Sequence, residues 1–71
     1  MLRTQFKNVK KGCKFLMRGM YLEKTDYDYA MHQIGYHPVN ALCLSGERKG
    51  HRMSIAAKAE GYVNSPDDLL D

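Results

Sequence analysis

The chain lacks the features that identify most enzymes and membrane proteins from sequence alone. Nowhere along its 71 residues is there an apolar run of about 18 or more, the length a helix needs to cross a bilayer. Met1-Leu2-Arg3-Thr4-Gln5 is not the apolar centre of a secretion signal, so the cytoplasm is the expected compartment. Cysteine is nearly absent as well: Cys13 and Cys43 are the only two. Their wide separation fits no paired zinc-knuckle spacing, and reduced, buried thiols are expected in place of a disulfide.

Catalytic signatures are missing too. Ser45 lies in Leu44-Ser45-Gly46-Glu47, without the leading glycine of a nucleophile elbow. Ser45 to Gly50 has neither the glycine spacing of a phosphate loop nor its Lys-Ser/Thr ending. His32 and His37 are spaced unlike zincin ligands, and Asp26 and Asp28 are the only carboxylates near them, a weak set for a metal. The chain is therefore expected to be a binding module rather than an enzyme, with no catalytic residue, metal or cofactor.

What is present begins with an uneven charge. Eleven Lys and Arg against eight Asp and Glu give +3. From Met1 to Arg18 there are Arg3, Lys7, Lys10, Lys11, Lys14 and Arg18 and no acid, while the chain closes on Asp67-Asp68-Leu69-Leu70-Asp71. A basic start and an acidic end can steer partners. The length suits one domain, 1–71, with a lead-in at 1–11 and an acidic tail at 64–71.

Between those ends the pattern is one of short strands. Phe6 and Val9, three apart, suit one helical turn or a loop that anchors two apolar groups. Cys13 to Met17 alternates, with Cys13, Phe15 and Met17 on one face. Arg18-Gly19 supplies a reversal, since glycine takes positive φ without steric cost. Met20 to Thr25 follows, with Met20 and Leu22 inward and Tyr21 and Glu23 outward. Asp26 to Pro38 is expected to be an elaborated loop, with Tyr29 to Ile34 open to a short strand or about one and a half helical turns. Val39 to Leu44 and His51 to Ile55 are further strands. Ala56 to Glu60 is too short for a free helix, and Gly61-Tyr62-Val63 is a closing strand. Ser65-Pro66 resembles a helix start. The sum is an all-β, five-stranded small barrel with one or two short helical turns, its core built on Phe15, Met17, Leu42, Leu44, Met53 and Ile55.

Aromatic and basic residues mark the candidate binding surfaces. Tyr27, Tyr29 and Tyr36 in the insert, with Arg48, Lys49 and Arg52 in the basic loop, form a candidate protein-docking set, because Tyr and Arg dominate the energetics of protein interfaces. The alternative is a nucleic-acid surface in which Tyr21 stacks on bases and Lys10, Lys14 and Lys24 meet phosphates.

Phe6, Gly12, Phe15, Gly19, Tyr21 and Lys24, followed by Asn40-Ala41-Leu42, Leu44 and Gly46-Glu47, form a pattern that resembles small uncharacterised proteins of tailed bacteriophages and related bacteria. The resemblance covers residues 6 to 63. It implies an SH3-like β-barrel and an accessory protein docking on a host or viral protein in the host cytoplasm, and it brings no catalytic residues. Asp26 to Pro38 and Arg48 to Arg52 depart from the pattern, which places any function particular to this chain there.

Overall fold

Alternation dominates this chain, and antiparallel strands are its result. The computed structural model describes residues 1–32 and 35–70. Six strands, β1 (Leu2–Gln5), β2 (Lys14–Met17), β3 (Met20–His32), β4 (Gly35–Cys43), β5 (Arg52–Met53) and β6 (Glu60–Val63), form one sheet in the order β1-β6-β2-β3-β4-β5. The expected five strands become six because the lead-in supplies β1, paired from Leu2↔Val63 to Gln5↔Glu60. That strand is half exposed and has no apolar alternation, so nothing in its sequence marks it. The hydrogen-bonded ladder ends at β1 and β5. Among the described residues no helix is long and apolar enough to cross a membrane.

The β2–β3 hairpin forms where the alternation places it. Met17 pairs with Met20, leaving Arg18 and Gly19 as a two-residue turn with φ of 48° and 75°. Positive φ at both centres matches the twist of the flanking strands, and glycine adopts it freely while arginine is strained.

Phe6, Val9, Phe15, Leu22, Ala41, Cys43, Ile55 and Val63 form the core cluster, with Met17, Met20 and Met53 packed against it. Phe6 and Phe15 meet edge to face with centroids 5.5 Å apart, a geometry favoured by the ring quadrupole. Phe6 opens the 3-10 turn Phe6–Asn8, so the lead-in anchors itself as its apolar pair suggests. Gly61 makes this packing possible. A Cβ there would lie 2.4 Å from the Leu16 carbonyl oxygen and 2.6 Å from the Phe15 ring.

Leu42 and Leu44 are not in this core. They are half-buried, while Val39, Ala41 and Cys43 are buried, so the inward register of β4 is one residue from that expected. The reason is volume. Ala41 and Cys43 stand opposite Lys24 and Leu22, on the side that two phenylalanine rings already fill, and small residues fit there. Leu42 stands between Glu23 and Arg52 on the other face.

The segment after β4 also differs. His51 to Ile55 pairs only at Arg52–Met53, because the Asn40 side chain replaces the ladder at Ile55: its amide donates to the Ile55 carbonyl and its oxygen accepts from the Ile55 N–H, both at 2.8 Å. Ala56 to Glu60 makes one turn, closed by Ala59 N–H to the Ala56 carbonyl at 3.0 Å. In the tail, Ser65 Oγ accepts from the Asp67 N–H, and Pro66 begins a 3-10 turn. Leu69 bridges to Val9, which ties the tail to the lead-in.

Both cysteines are free thiols. Cys43 is buried and its Sγ donates to the Ser45 carbonyl at 3.1 Å. Cys13 is only half-buried, a departure from the expected burial of both. Desolvation first, then the Asp68 carboxylate, raises its pKa above the ordinary thiol value.

Three outcomes follow from this packing. Gly61→Ala is expected to lower stability by about 1–3 kcal/mol through overpacking, read as an earlier urea midpoint, and adding Phe15→Leu should recover part of it. Arg18→Asn should stabilise by roughly 0.5 kcal/mol, because Asn-Gly suits this turn; an unchanged or lower midpoint would count against the turn geometry. In native protein at neutral pH a thiol reagent should modify Cys13 more slowly than free cysteine and Cys43 only on unfolding; rapid reaction at Cys43 would contradict its burial.

Candidate binding site: the hairpin arm and the groove at its foot

β3 and β4 outrun their neighbours. β2 pairs with β3 only between Met20 and Glu23, and the last backbone bonds on that side are Gly12 N–H to Lys24 O at 2.7 Å and Lys24 N–H to Cys13 O at 3.0 Å. β5 meets β4 only at Ala41 and Leu42. Asp28 to His32 against Gly35 to Val39 is therefore a two-stranded arm, and the molecule measures 38 Å along its longest axis. The segment expected to be a loop is this arm. Asp26-Tyr27-Asp28 has turn-forming composition, but its residues alternate with period two and both charges are balanced: Asp26 by Lys11 at 3.0 Å and Asp28 by Arg52 at 3.1 Å. Pro38 is accommodated because, among the described residues, β4 has no second neighbour at that point.

A bulge sets which way the arm faces. Between Lys24↔Ala41 and Asp28↔Val39, residues Thr25, Asp26 and Tyr27 stand opposite the single residue Asn40, and such an irregularity re-aims the side chains beyond it. Past it, Tyr29 pairs with Pro38 and Met31 with Tyr36. Directly opposed residues share a face, as do positions two apart. Tyr27, Tyr29, Met31, Tyr36 and Pro38 thus line one side of the arm. Tyr27 and Tyr29 touch edge to face at 5.6 Å and 86°. Tyr27 is 66 % exposed, Tyr29 56 %, Met31 77 % and Tyr36 71 %. Soluble monomers seldom leave so contiguous an apolar surface open.

On the reverse side Asp28 is held by two hydrogen bonds. The Tyr29 N–H donates to Asp28 at 2.8 Å and Arg52 donates to it at 3.1 Å. The amide first, then the guanidinium, hold the Asp28 carboxyl below the usual carboxylate range. Of the basic loop, Arg52 alone bonds to the arm among the described residues. Arg48 and Lys49 occupy and close the 3-10 turn Gly46–Arg48, next to the opposite end of β3, where the Leu44 N–H donates to Tyr21 O. Arg48 also borders a depression with Met17, Arg18 and Met20. The six candidate docking residues therefore divide into four at the arm and two at the far end of the sheet. His32 pairs with Gly35 at the arm's end, its side chain outside the described set. Gln33 and Ile34, part of the segment expected to be strand or helical turn, also lie outside the described residues.

The alternative set does not converge either. Lys14 and Tyr21 border an outer cavity of about 310 Å³ with Leu44, Ser45 and Asn64. Lys10 sits at the junction of lead-in and tail, its N–H donating to Asp68 O at 2.8 Å. Lys24 faces the core side. Among the described residues, no three His, Cys, Asp or Glu side chains gather where they could hold a metal ion.

At the foot of the arm lies a groove of about 480 Å³. Its lining includes the buried Phe6 and Ile55, the cations Lys7 and Lys24, and Tyr27 and Pro38 of the arm, with no acid among the described residues. Lys24 Nζ donates to the Phe6 carbonyl at 3.1 Å and the Lys7 carbonyl at 3.4 Å and lies 4.9 Å above the Phe6 ring. Desolvation lowers its pKa below the ordinary lysine value. Sequence spacing could have shown Met31 as the continuation of Tyr27 and Tyr29. It held no signal for Lys7, because this groove is assembled from four separate stretches of chain. A comparison of the chain with protein-family models, with curated proteins and with solved structures finds no significant match.

Proposed function

We propose that this chain is a non-enzymatic binding module that docks on a protein partner through the tyrosine–methionine face of the hairpin arm. The continuous exposure of Tyr27, Tyr29, Met31 and Tyr36 on one face carries this reading. Tyr side chains supply large contact area with little loss of conformational freedom and sit at interface centres more often than chance allows. A two-stranded ribbon is marginally stable in water by itself, and a partner covering the apolar face would compensate.

The antiparallel sheet of short strands around one core, with its β1–β6 edge carried on by the Phe6 and Lys7 N–H groups donating to the Ala59 and Ala57 carbonyls at 2.9 Å each, supports the finer reading of a small SH3-like barrel. With the sequence resemblance, it supports a phage-type accessory role on a host or viral protein in the cytoplasm. Two free thiols suit a reducing compartment. Nucleic-acid binding through Lys10, Lys14, Tyr21 and Lys24 fits less well, because Lys14 and Tyr21 share one cavity while Lys10 lies at the tail junction and Lys24 in the groove.

Affinity capture from host lysate, repeated with nuclease and across a salt series, tests this. Tyr29→Ala and Tyr36→Ala should each weaken capture by about 1–3 kcal/mol while the thermal midpoint stays put. Full capture by both variants would remove the arm from the interface. Loss of capture on nuclease treatment, or a steep fall with salt, would turn the function towards nucleic acid.

A further inference from the structure

We propose that the groove at the foot of the arm receives a protein segment in which one Asp or Glu side chain, flanked by apolar residues, seats its carboxylate between Lys24 and Lys7. This rests on the arm being a protein-docking face and names the chemistry of what docks. An ammonium group has three N–H donors. Two of those on Lys24 go to the Phe6 and Lys7 carbonyls, which fixes the head group over the Phe6 ring and leaves one donor. Among the described residues no carboxylate forms an ion pair with Lys24 or with Lys7. A half-buried cation without a counter-charge is a costly arrangement, and an incoming carboxylate relieves it with a charge-assisted hydrogen bond.

The surroundings select the ligand further. Apolar surface lies on both sides of the lysines, Phe6 and Ile55 inward and Tyr27 and Pro38 outward, so the carboxylate belongs in mid-segment and not at a chain end. Phe6, Ile55 and Pro38 offer apolar surface to the neighbours of that carboxylate, which a nucleic-acid backbone, charged at every nucleotide, cannot use. The groove is thus complementary in charge to an acidic, apolar segment and poorly matched to a polyanion.

Two synthetic peptides test this on the full chain: acetyl-Ser-Leu-Leu-Glu-Leu-Val-Ser-amide and its Gln counterpart, titrated into ¹⁵N-labelled protein. The Glu peptide should shift the amide signals of Lys7, Lys24, Thr25 and Tyr27 and bind about tenfold more tightly than the Gln peptide. Lys7→Glu should abolish that preference. The Lys7 side chain is exposed and takes part in no hydrogen bond or ion pair among the described residues, so this variant reads the groove without disturbing the fold. Lys24→Met should do the same, with a thermal scan to separate any loosening of the Phe6–Asn8 turn. Equal affinity for both peptides, no saturable binding of either, or shifts confined to another surface would overturn the proposal. So would an oligothymidylate that shifts the same amides more strongly than the Glu peptide. If Lys7→Glu leaves peptide selectivity unchanged while Tyr29→Ala and Tyr36→Ala lose partner capture, the carboxylate site fails and the arm stands.

Discussion

The contact between the Phe15 ring and the bare backbone of Gly61 is the constraint on which the rest of this structure depends. A side chain at that point would occupy the space of both the ring and the Leu16 carbonyl. Only with glycine there can β6 lie close enough to β2 to pair Tyr62 with Leu16. From that pairing follow the place of β1 beside β6, the reach of Phe6 into the core, and the carbonyls to which Lys24 is tied. Closeness at one backbone position thus sets the position of a cation at the groove.

The arm is governed by the opposite circumstance, an absence of packing. Near the core each strand of the pair has a second neighbour; beyond Lys24 and before Asn40 it has none among the described residues. Cross-strand pairs must then hold the ribbon, and these include Tyr29 with Pro38 and Met31 with Tyr36. Arg52 adds a brace from β5 to Asp28. Such a segment opens at lower free energy than the sheet it grows from, as binding elements commonly do. The apolar face therefore stands on the most yielding part of the molecule, while the lysines below it are attached to the most rigid.

Much of the fold was legible because local pattern and final structure agree. Cys13 to Met17 and Met20 to Glu23 alternate, Arg18-Gly19 turns, and the β2–β3 hairpin follows. Ser65-Pro66 signalled its turn for the same reason. Where local and global preferences part, the reading failed. Leu42 and Leu44 are more hydrophobic than Ala41, yet volume places Ala41 inside. Asp26 and Asp28 favour turns, yet Lys11 and Arg52 neutralise them from distant positions. β1 depends wholly on a partner that arrives at the other end of the sequence. The candidate site divides along the same line: the tyrosines were visible as composition, whereas the separation of Arg48 and Lys49 from Arg52, and the approach of Lys7 to Tyr27 across the groove, are products of topology.

That same pairing of the first strand with the last has a consequence for how the protein is made. During synthesis Leu2 to Gln5 are made before the rest of the sheet, but the strand that receives them is completed only at Val63. Phe6 and Val9 must likewise wait for Ile55 and Val63 before their side chains are enclosed. The β2–β3 hairpin can close early, since its loop is two residues long, but long-range closure is the slow and exposed stage of folding. A growing chain of this protein thus carries two unburied apolar anchors until Val63 has been added, and its core closes only after that point.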